Sequence, residues 1–483
     1  MQETTQRVAD GVETTDAASA ADLVPDDGTV PMSGLSAGPK DIAHELAASG
    51  RDLSLTVPAS ADAGFVADTE LPNADALDLR YPFSAWPNLK RAVNDGRVDF
   101  VDDHLSVVEQ SVAQGHFGDP DVAVVEALAV GENWLVPTTA VGGVPGFVAA
   151  ADEVIVEVNE ALPLELQHLH DAWTPGTPPR DPVSLSDPGE CLGDQFVRFD
   201  PDKLAAVVRT ENDPIAYPFR EPTAAETAIA DNALDFLADE LAANPAFSDR
   251  FAFEVGIGSL GNEITERIGD LDFGDRRVEY FGEVAQDGLL DLLEAGTLSA
   301  ASATALVLGE DGVNRLLDRP ELVAENVVMR SMSVSNDPGL IRAFGVVAIN
   351  TAVEVDVYGH TNSSHVRGSQ LLQGIGGSGD FARNGLLSMM VLPSTAKDGE
   401  ISRIVPMASH VDHPDHDVDV VVTEHGVADL RGLTPDERFE ALVEQCADPD
   451  FRPELRRYGE RAAEDGGHMP HDLPTAFDMH DTE

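Results

Sequence analysis

The amino-acid sequence predicts an α/β protein built from two similar open α/β domains, and three observations carry that prediction. Residues 251–296 run apolar strand, glycine-bearing turn, amphipathic helix and second strand, which is the pattern of a βαβ unit. The same order recurs near the N-terminus, and a proline-rich stretch with little periodicity lies between the two occurrences. A chain of 483 residues holds two domains of ordinary size, each with its own core.

In chain order, residues 1 to about 20 form a polar, acidic tail. A short strand is expected at 29–33 and a glycine turn at Gly34-Leu35-Ser36-Ala37-Gly38-Pro39-Lys40. A helix follows over 41–48, stopped by Gly50, and then a strand at 53–57 ending in Pro58-Ala59-Ser60. From first turn glycine to strand end the spacing is 26 residues, Gly34 to Ser60, against 27 from Gly256 to Glu283. A second echo pairs Trp134-Leu135-Val136-Pro137-Thr138-Thr139 with Met390-Val391-Leu392-Pro393-Ser394-Thr395. Each is followed by a loop and an apolar strand, 154–159 and 418–426. Two landmarks in one order imply a tandem duplication. The halves differ in chemistry: where the second has Glu283, Lys397 and Glu424, the first has Ser60, Val141 and about Asn159.

Residues 172–222 are rich in proline and polar residues, as a linker is. Thr223-Ala224-Ala225-Glu226 is a capping box that opens a helix to about residue 241, so the boundary is placed near Pro222, giving domains 1–221 and 222–483. Next come a strand at 251–255, a helix with Leu260, Ile264 and Ile268 on one face, and a strand at 278–284 that delivers Glu283 to its carboxyl end. In open α/β sheets ligands sit outside that edge. Further elements are a helix at 289–293 and strands at 304–308, 346–350 and 353–358. A glycine loop at 374–380 and a helical finish over 434–461 complete the chain.

Composition excludes several functions. The formal charge is −57 and the lysines are Lys40, Lys90, Lys203 and Lys397, so the chain repels nucleic acid and anionic membrane. In molar salt the Debye length is about 3 Å and such self-repulsion is screened, which is the halophilic reading of this acidity. No run of 18 apolar residues predicts a membrane span, and the N-terminus has no hydrophobic signal region. Cys191 and Cys446 lie far apart without metal or redox spacing, as free thiols of a reducing cytoplasm do.

The turn Gly256-Ile257-Gly258-Ser259-Leu260-Gly261 satisfies G-x-G-x-x-G, with Glu279 about 20 residues on, so an NAD-dependent oxidoreductase is one reading. The other is that its backbone amides and helix start face an acyl or CoA group beside Glu283. His410, His413 and His416 with Asp412, Asp415 and Asp417 suggest a metal. Their spacing is not that of a helical H-x-x-x-H site and Pro414 breaks a helix there, so they are expected to be structural or surface residues, with no metal bound.

Ordered motifs from GIGSLGN through EVAQDGLLDLLEAG, VSNDPG, NTAVEVDVYGHTNSSHV, GIGGSGDFARN, PSTAKDG and IVPMASHVDH to DVDVVVTEHGVADLRGL resemble the family I CoA-transferases of the acetyl-CoA hydrolase/transferase group. Succinyl-CoA:acetate CoA-transferases are nearest in pattern. The resemblance covers about residues 24–461 and implies the CoA-transferase fold. It also implies transfer of CoA between short carboxylic acids, or acetyl-CoA hydrolysis at the same site.

The resemblance implies Glu283 as the nucleophile that becomes a glutamyl-CoA thioester, Asn336 as its hydrogen-bond donor and Glu424 as a second acid near the reacting groups. By the same resemblance Gly256, Ile257, Gly258, Ser259, Leu260, Gln373, Gly377 and Lys397 contact CoA, and Ser60 contacts the acyl group or acceptor. Coenzyme A is then a substrate, no cofactor is permanently bound, and a homodimer is expected. One departure stands out: Gly282 precedes the nucleophile where related sequences commonly carry Thr or Ser.

Overall fold

The computed structural model describes residues 3–49, 80–81, 87–96 and 99–480. The chain divides into two compact units: Met1–Pro218 with Glu279–Leu340, and Phe219–Val278 with Ile341–Glu483. The segment carrying Glu283 therefore packs with the N-terminal residues, and each unit is discontinuous in sequence.

The first unit contains a five-stranded sheet in the order Val197–Arg198, Trp134–Pro137, Val122–Gly131, Glu153–Asn159, Leu204–Thr210. The central strand Val122–Gly131 is buried along its whole length because both of its faces are covered. Val124, Ile155 and Val208 face Met32, Ile42 and Leu46, whereas Val125, Val156 and Val207 face Leu105, Val108 and Phe147.

The expected strand at 29–33 is reduced to parallel bridges, Thr29 to Pro120 and Met32 to Val124. The expected strand at 53–57 and Ser60 lie outside the described residues. Within the stretch read as a linker, Leu204–Thr210 is a sheet strand parallel to Glu153–Asn159. Its run LAAVVRT is short and follows a long aperiodic stretch, which hid it from periodicity. The Trp134 and Met390 echo has a limit too: Trp134–Pro137 pairs antiparallel with Val122–Gly131, whereas Leu387–Val391 lies between parallel neighbours.

The same unit holds the strand Arg277–Phe281 from Glu279 onward and, in order beside it, the parallel strands Ala300–Ala303, Val327–Arg330 and His170–Asp171. Parallel strands place their carboxyl ends on one edge, so the segments after Phe281, Ala303 and Arg330 emerge together.

The second unit orders its strands Gly426–Asp429, Val420–Thr423, Leu387–Val391, Val346–Thr351, Arg250–Val255, of which the last four are parallel. The helix Ala224–Ala243 opens with the expected capping box, Thr223 accepting from the Glu226 amide and the Glu226 carboxylate from the Thr223 amide. The helix Ser259–Ile268 buries Leu260, Ile264 and Ile268, the face its 3.6-residue period marks. Among the described residues no helix is long and apolar enough to cross a membrane.

Candidate active site

The strand expected over 278–284 is interrupted where the chemistry is expected. Arg277–Phe281 ends, Gly282 and Glu283 follow, and Val284–Ala285 pairs with Ala305–Leu306. The Glu283 carbonyl accepts from the Thr304 amide at 2.8 Å and from the Ala305 amide at 3.2 Å, and the Gly282 amide donates to the Ser302 carbonyl at 3.0 Å. These bonds fix the backbone of a half-buried carboxylate at the edge where the parallel strands end.

Asn336 follows Val327–Arg330, the second strand along from Arg277–Phe281, through the short helix Met332–Ser335 and is fully buried. Its Nδ2 lies 3.5 Å from Glu283 Oε2, the long end of a hydrogen bond. Ser335 Oγ donates to Asn336 Oδ1 at 2.6 Å, which turns the amide nitrogen toward the carboxylate.

The start of that short helix is held by Glu109, a buried side chain that nothing local in the sequence marks. Glu109 accepts from Ser331 Oγ at 2.5 Å, from Thr174 Oγ1 at 2.9 Å and from the Ser333 amide at 3.3 Å. Burial pushes its carboxyl above the usual range, and those donors act in the opposite direction.

Gly282 has a physical reason. A Cβ there would lie 2.5 Å from Tyr280 Oη and 2.6 Å from its Cζ, so the buried Tyr280 ring occupies the space a residue-282 side chain needs. The phenol donates to the Val284 carbonyl, bridging the backbone on both sides of Glu283.

In the second unit the glycine turn follows Arg250–Val255. The Gly256 amide donates to the Ile349 carbonyl at 2.9 Å, Gly258 adopts φ +140°, and Ser259 opens the helix. A Cβ at Gly261 would lie 2.1 Å from the Gly256 carbonyl oxygen, so the helix starts against the loop backbone itself. Gly256, Ile257, Gly258 and Ser259 are half-buried and Leu260 is buried, which leaves backbone within reach of a ligand.

The second glycine loop contains Gln373, whose Nε2 donates to the Ser363 carbonyl at 3.2 Å, and Gly377, which caps the helix Ser378–Asn384. Lys397 is exposed at the tip of the hairpin formed by Thr395–Ala396 and Ile401–Ser402, with φ +48°. Glu424 follows Val420–Thr423 and is half-buried. Its Oε2 accepts from the Ser394 amide at 2.8 Å and its Oε1 from Ser394 Oγ at 2.7 Å.

Ser394 was legible only as part of the PSTAKDG motif. The three histidines of the 410–416 stretch differ in their contacts. His413 is buried with Nε2 3.2 Å from Ser363 Oγ and 3.4 Å from Ser378 Oγ. His410 Nε2 lies 3.2 Å from Asp412 Oδ1, and the exposed His416 lies 2.8 Å from Asp415. His360 hydrogen-bonds to Asp356, which raises its pKa.

The second unit carries glycine turns at its strand ends, the first carries the Glu283–Asn336 pair at its own, and the fold is that of the CoA-transferases. In fold the chain is similar to the crystal structure of RipA from Yersinia pestis, with TM-score 0.72 and 23% identity over 93% of this chain and 97% of that one. It is likewise similar to a 4-hydroxybutyrate CoA-transferase from Porphyromonas gingivalis, with TM-score 0.63 and 20% identity over 94% and 97%.

The chain belongs to the acetyl-CoA hydrolase/transferase family: residues 12–209 match the N-terminal domain of that family and 312–459 its C-terminal domain. Its relatives include a propanoyl-CoA:succinate CoA transferase of Escherichia coli, 41% identical over 86% of this chain and 84% of the other. A succinyl-CoA:acetate CoA-transferase of Clostridium kluyveri is 36% identical over 95% and 87%. An acetyl-CoA hydrolase of Yarrowia lipolytica is 38% identical over 87% and 83%. The protein is thus an enzyme of a family that holds both transferases and hydrolases, and the glycine turn is not read as an oxidoreductase fingerprint.

Proposed function

We propose that the protein exchanges CoA between a short-chain acyl-CoA and a carboxylate acceptor, with acetate and succinate among the acids, through a thioester on Glu283. The observation that carries this reading is the half-buried Glu283 faced at 3.5 Å by an amide that Ser335 orients. The Glu283 carboxylate attacks the thioester carbonyl, the C–S bond breaks, and an acyl-glutamyl anhydride and CoA thiolate result. The thiolate attacks the glutamyl carbonyl, the donor acid leaves, and a glutamyl-CoA thioester remains. An acceptor carboxylate then attacks that thioester and releases CoA thiolate. The thiolate takes the acyl group from the new anhydride, which restores Glu283. Asn336 donates to the carboxyl oxygen as charge moves onto and off it.

Gly256, Ile257, Gly258, Ser259, Leu260, Gln373, Gly377 and Lys397 are assigned to CoA, which is a substrate rather than a resident cofactor. Lys397 supplies a cation to a polyanion in a chain of charge −57. Glu424, which holds Ser394, is assigned as the second acid of the reaction, and Ser60 is assigned to the acyl group or acceptor. A cytoplasmic homodimer working in high salt completes the reading.

Acetyl-CoA hydrolysis is the second reading, favoured by relatives such as that of Yarrowia lipolytica; it needs water in place of the acceptor carboxylate. The test is acetyl-CoA turnover in molar salt, with and without succinate, on wild type and Glu283→Ala. Succinate-dependent formation of succinyl-CoA that is lost in the variant supports transfer through Glu283. Free CoA released equally fast without acceptor means hydrolysis, and a fully active variant sinks the nucleophile.

A further inference from the structure

Arg403 lies between Ile401–Ser402 and Ile404–Val405 in the second unit and is half-buried. Its backbone is fixed on both sides: its amide donates to the Ser394 carbonyl at 2.8 Å, and its carbonyl accepts from the Val355 amide at 2.9 Å. Ser394 is the residue that clamps Glu424, so the arginine is anchored one strand from that carboxylate. Burial lowers the Arg403 pKa, while the charges of Glu226 and Glu424 raise it.

Neither carboxylate takes the guanidinium. Glu226 is occupied by a two-point pair with Arg220, at 2.7 and 2.6 Å, and Glu424 spends both oxygens on Ser394. Among the described residues none forms a hydrogen bond or ion pair with the Arg403 guanidinium, in a chain that has 87 acidic side chains to offer. Five donors on a planar cation, left unmatched in a half-buried place, suit a planar or tetrahedral oxyanion.

We propose that Arg403 binds one oxyanion of the substrates, either the carboxylate of the acid or a phosphate of the acyl-CoA. The proposal rests on the acyl-CoA and carboxylate exchange argued above and adds to it a specificity-determining residue outside the set that the family motifs assign. A guanidinium fork holds such a group at two points, so its loss acts on binding of one substrate and leaves the chemical step largely in place.

The test compares wild type, Arg403→Lys and Arg403→Gln in molar salt, with acetyl-CoA and succinate as the substrates and S-acetylpantetheine, which carries no phosphate, as an alternative donor. If the group is the acid carboxylate, Arg403→Gln raises the KM for succinate at least tenfold and leaves that for acetyl-CoA within twofold, with Arg403→Lys between. If it is a phosphate, the KM for acetyl-CoA rises at least tenfold and the difference from wild type disappears with S-acetylpantetheine. Both KM values within twofold of wild type in folded Arg403→Gln overturn the proposal, even where its melting temperature falls.

Should the Gln variant not fold, thermal protection by succinate and by CoA is measured on wild type and Arg403→Lys. Loss of at least half the shift for one ligand supports the assignment, and equal shifts overturn it. Protection requires no turnover, so Glu283→Ala run alongside separates the two readings: an active Glu283→Ala removes the nucleophile and leaves a binding loss at Arg403 standing.

Discussion

Introducing a side chain at Gly282 should harm both stability and chemistry, and Gly282→Ser is the direct perturbation. The new Cβ would lie 2.5 Å from Tyr280 Oη, 2.6 Å from Cζ and 2.8 Å from Cε1, all inside contact distance. Tyr280 is 2% exposed and its hydroxyl is spent on the Val284 carbonyl, so the ring has no free direction in which to retreat. Overpacking of this kind costs about 1–3 kcal/mol. The backbone that must yield is that of Glu283, and a misplacement of about 1 Å at a reacting group costs roughly 100-fold in rate. The expected result is a lowered denaturant midpoint, together with formation of the glutamyl-CoA adduct slowed by about 10- to 100-fold in single turnover, read as borohydride-trapped peptide mass. Tyr280→Leu removes Cζ and Oη, so Gly282→Ser and Tyr280→Leu should couple by about 1 kcal/mol in stability. A Gly282→Ser protein that matches wild type in both measurements, or additivity of the two substitutions, would refute the clash with Tyr280.

Two further outcomes follow from the described contacts. Asn336→Ala removes a donor to a carboxylate, an interaction of about 1.5–3 kcal/mol, which converts to roughly 10- to 100-fold in kcat. The 3.5 Å separation places the expectation at the low end, and an unchanged kcat would remove Asn336 from the mechanism. Glu157 gives a pH dependence. Burial is the largest cause of its raised pKa, about 8, opposed by the Ile42 and Asp41 amides and reinforced by the neighbouring Glu126 and Asp41 charges. Between about pH 4.5 and 8 the folded state holds a proton on Glu157 that the unfolded chain has released, so stability falls as pH rises through that window. The slope is up to about 1.4 kcal/mol per pH unit for one proton. Glu157→Gln should flatten the fall in unfolding midpoint from pH 5 to 8, and an identical slope would show that another group titrates.

Much of the second unit was legible because its determinants are local. The capping box at Thr223 and Glu226, the 3.6-residue period of Leu260, Ile264 and Ile268, and the glycines of the 256–261 turn each act within one element, and the structure places them as read. The strand Leu204–Thr210 was missed because its seven residues gain stability only by pairing with Glu153–Asn159, some 50 residues away in sequence. The candidate site divides in the same way. Glu283 and Asn336 are found by motif, but motif alone does not give their separation. Ser335, Glu109 and Ser394 act through contacts that no spacing announces.

The sequence by itself determined the α/β class, the family and the set of candidate residues for its chemistry, because periodicity, turn glycines and ordered motifs are written in consecutive residues. The tertiary structure alone decided which side chains meet. It brings Asn336 to Glu283 across 53 residues, seats the Tyr280 ring where Gly282 leaves room, and spends Glu226 and Glu424 on Arg220 and Ser394 so that the Arg403 guanidinium takes neither. Those outcomes depend on close packing and on the exchange of hydrogen-bond partners between distant segments, and both come into being only when the strands are parallel and in register.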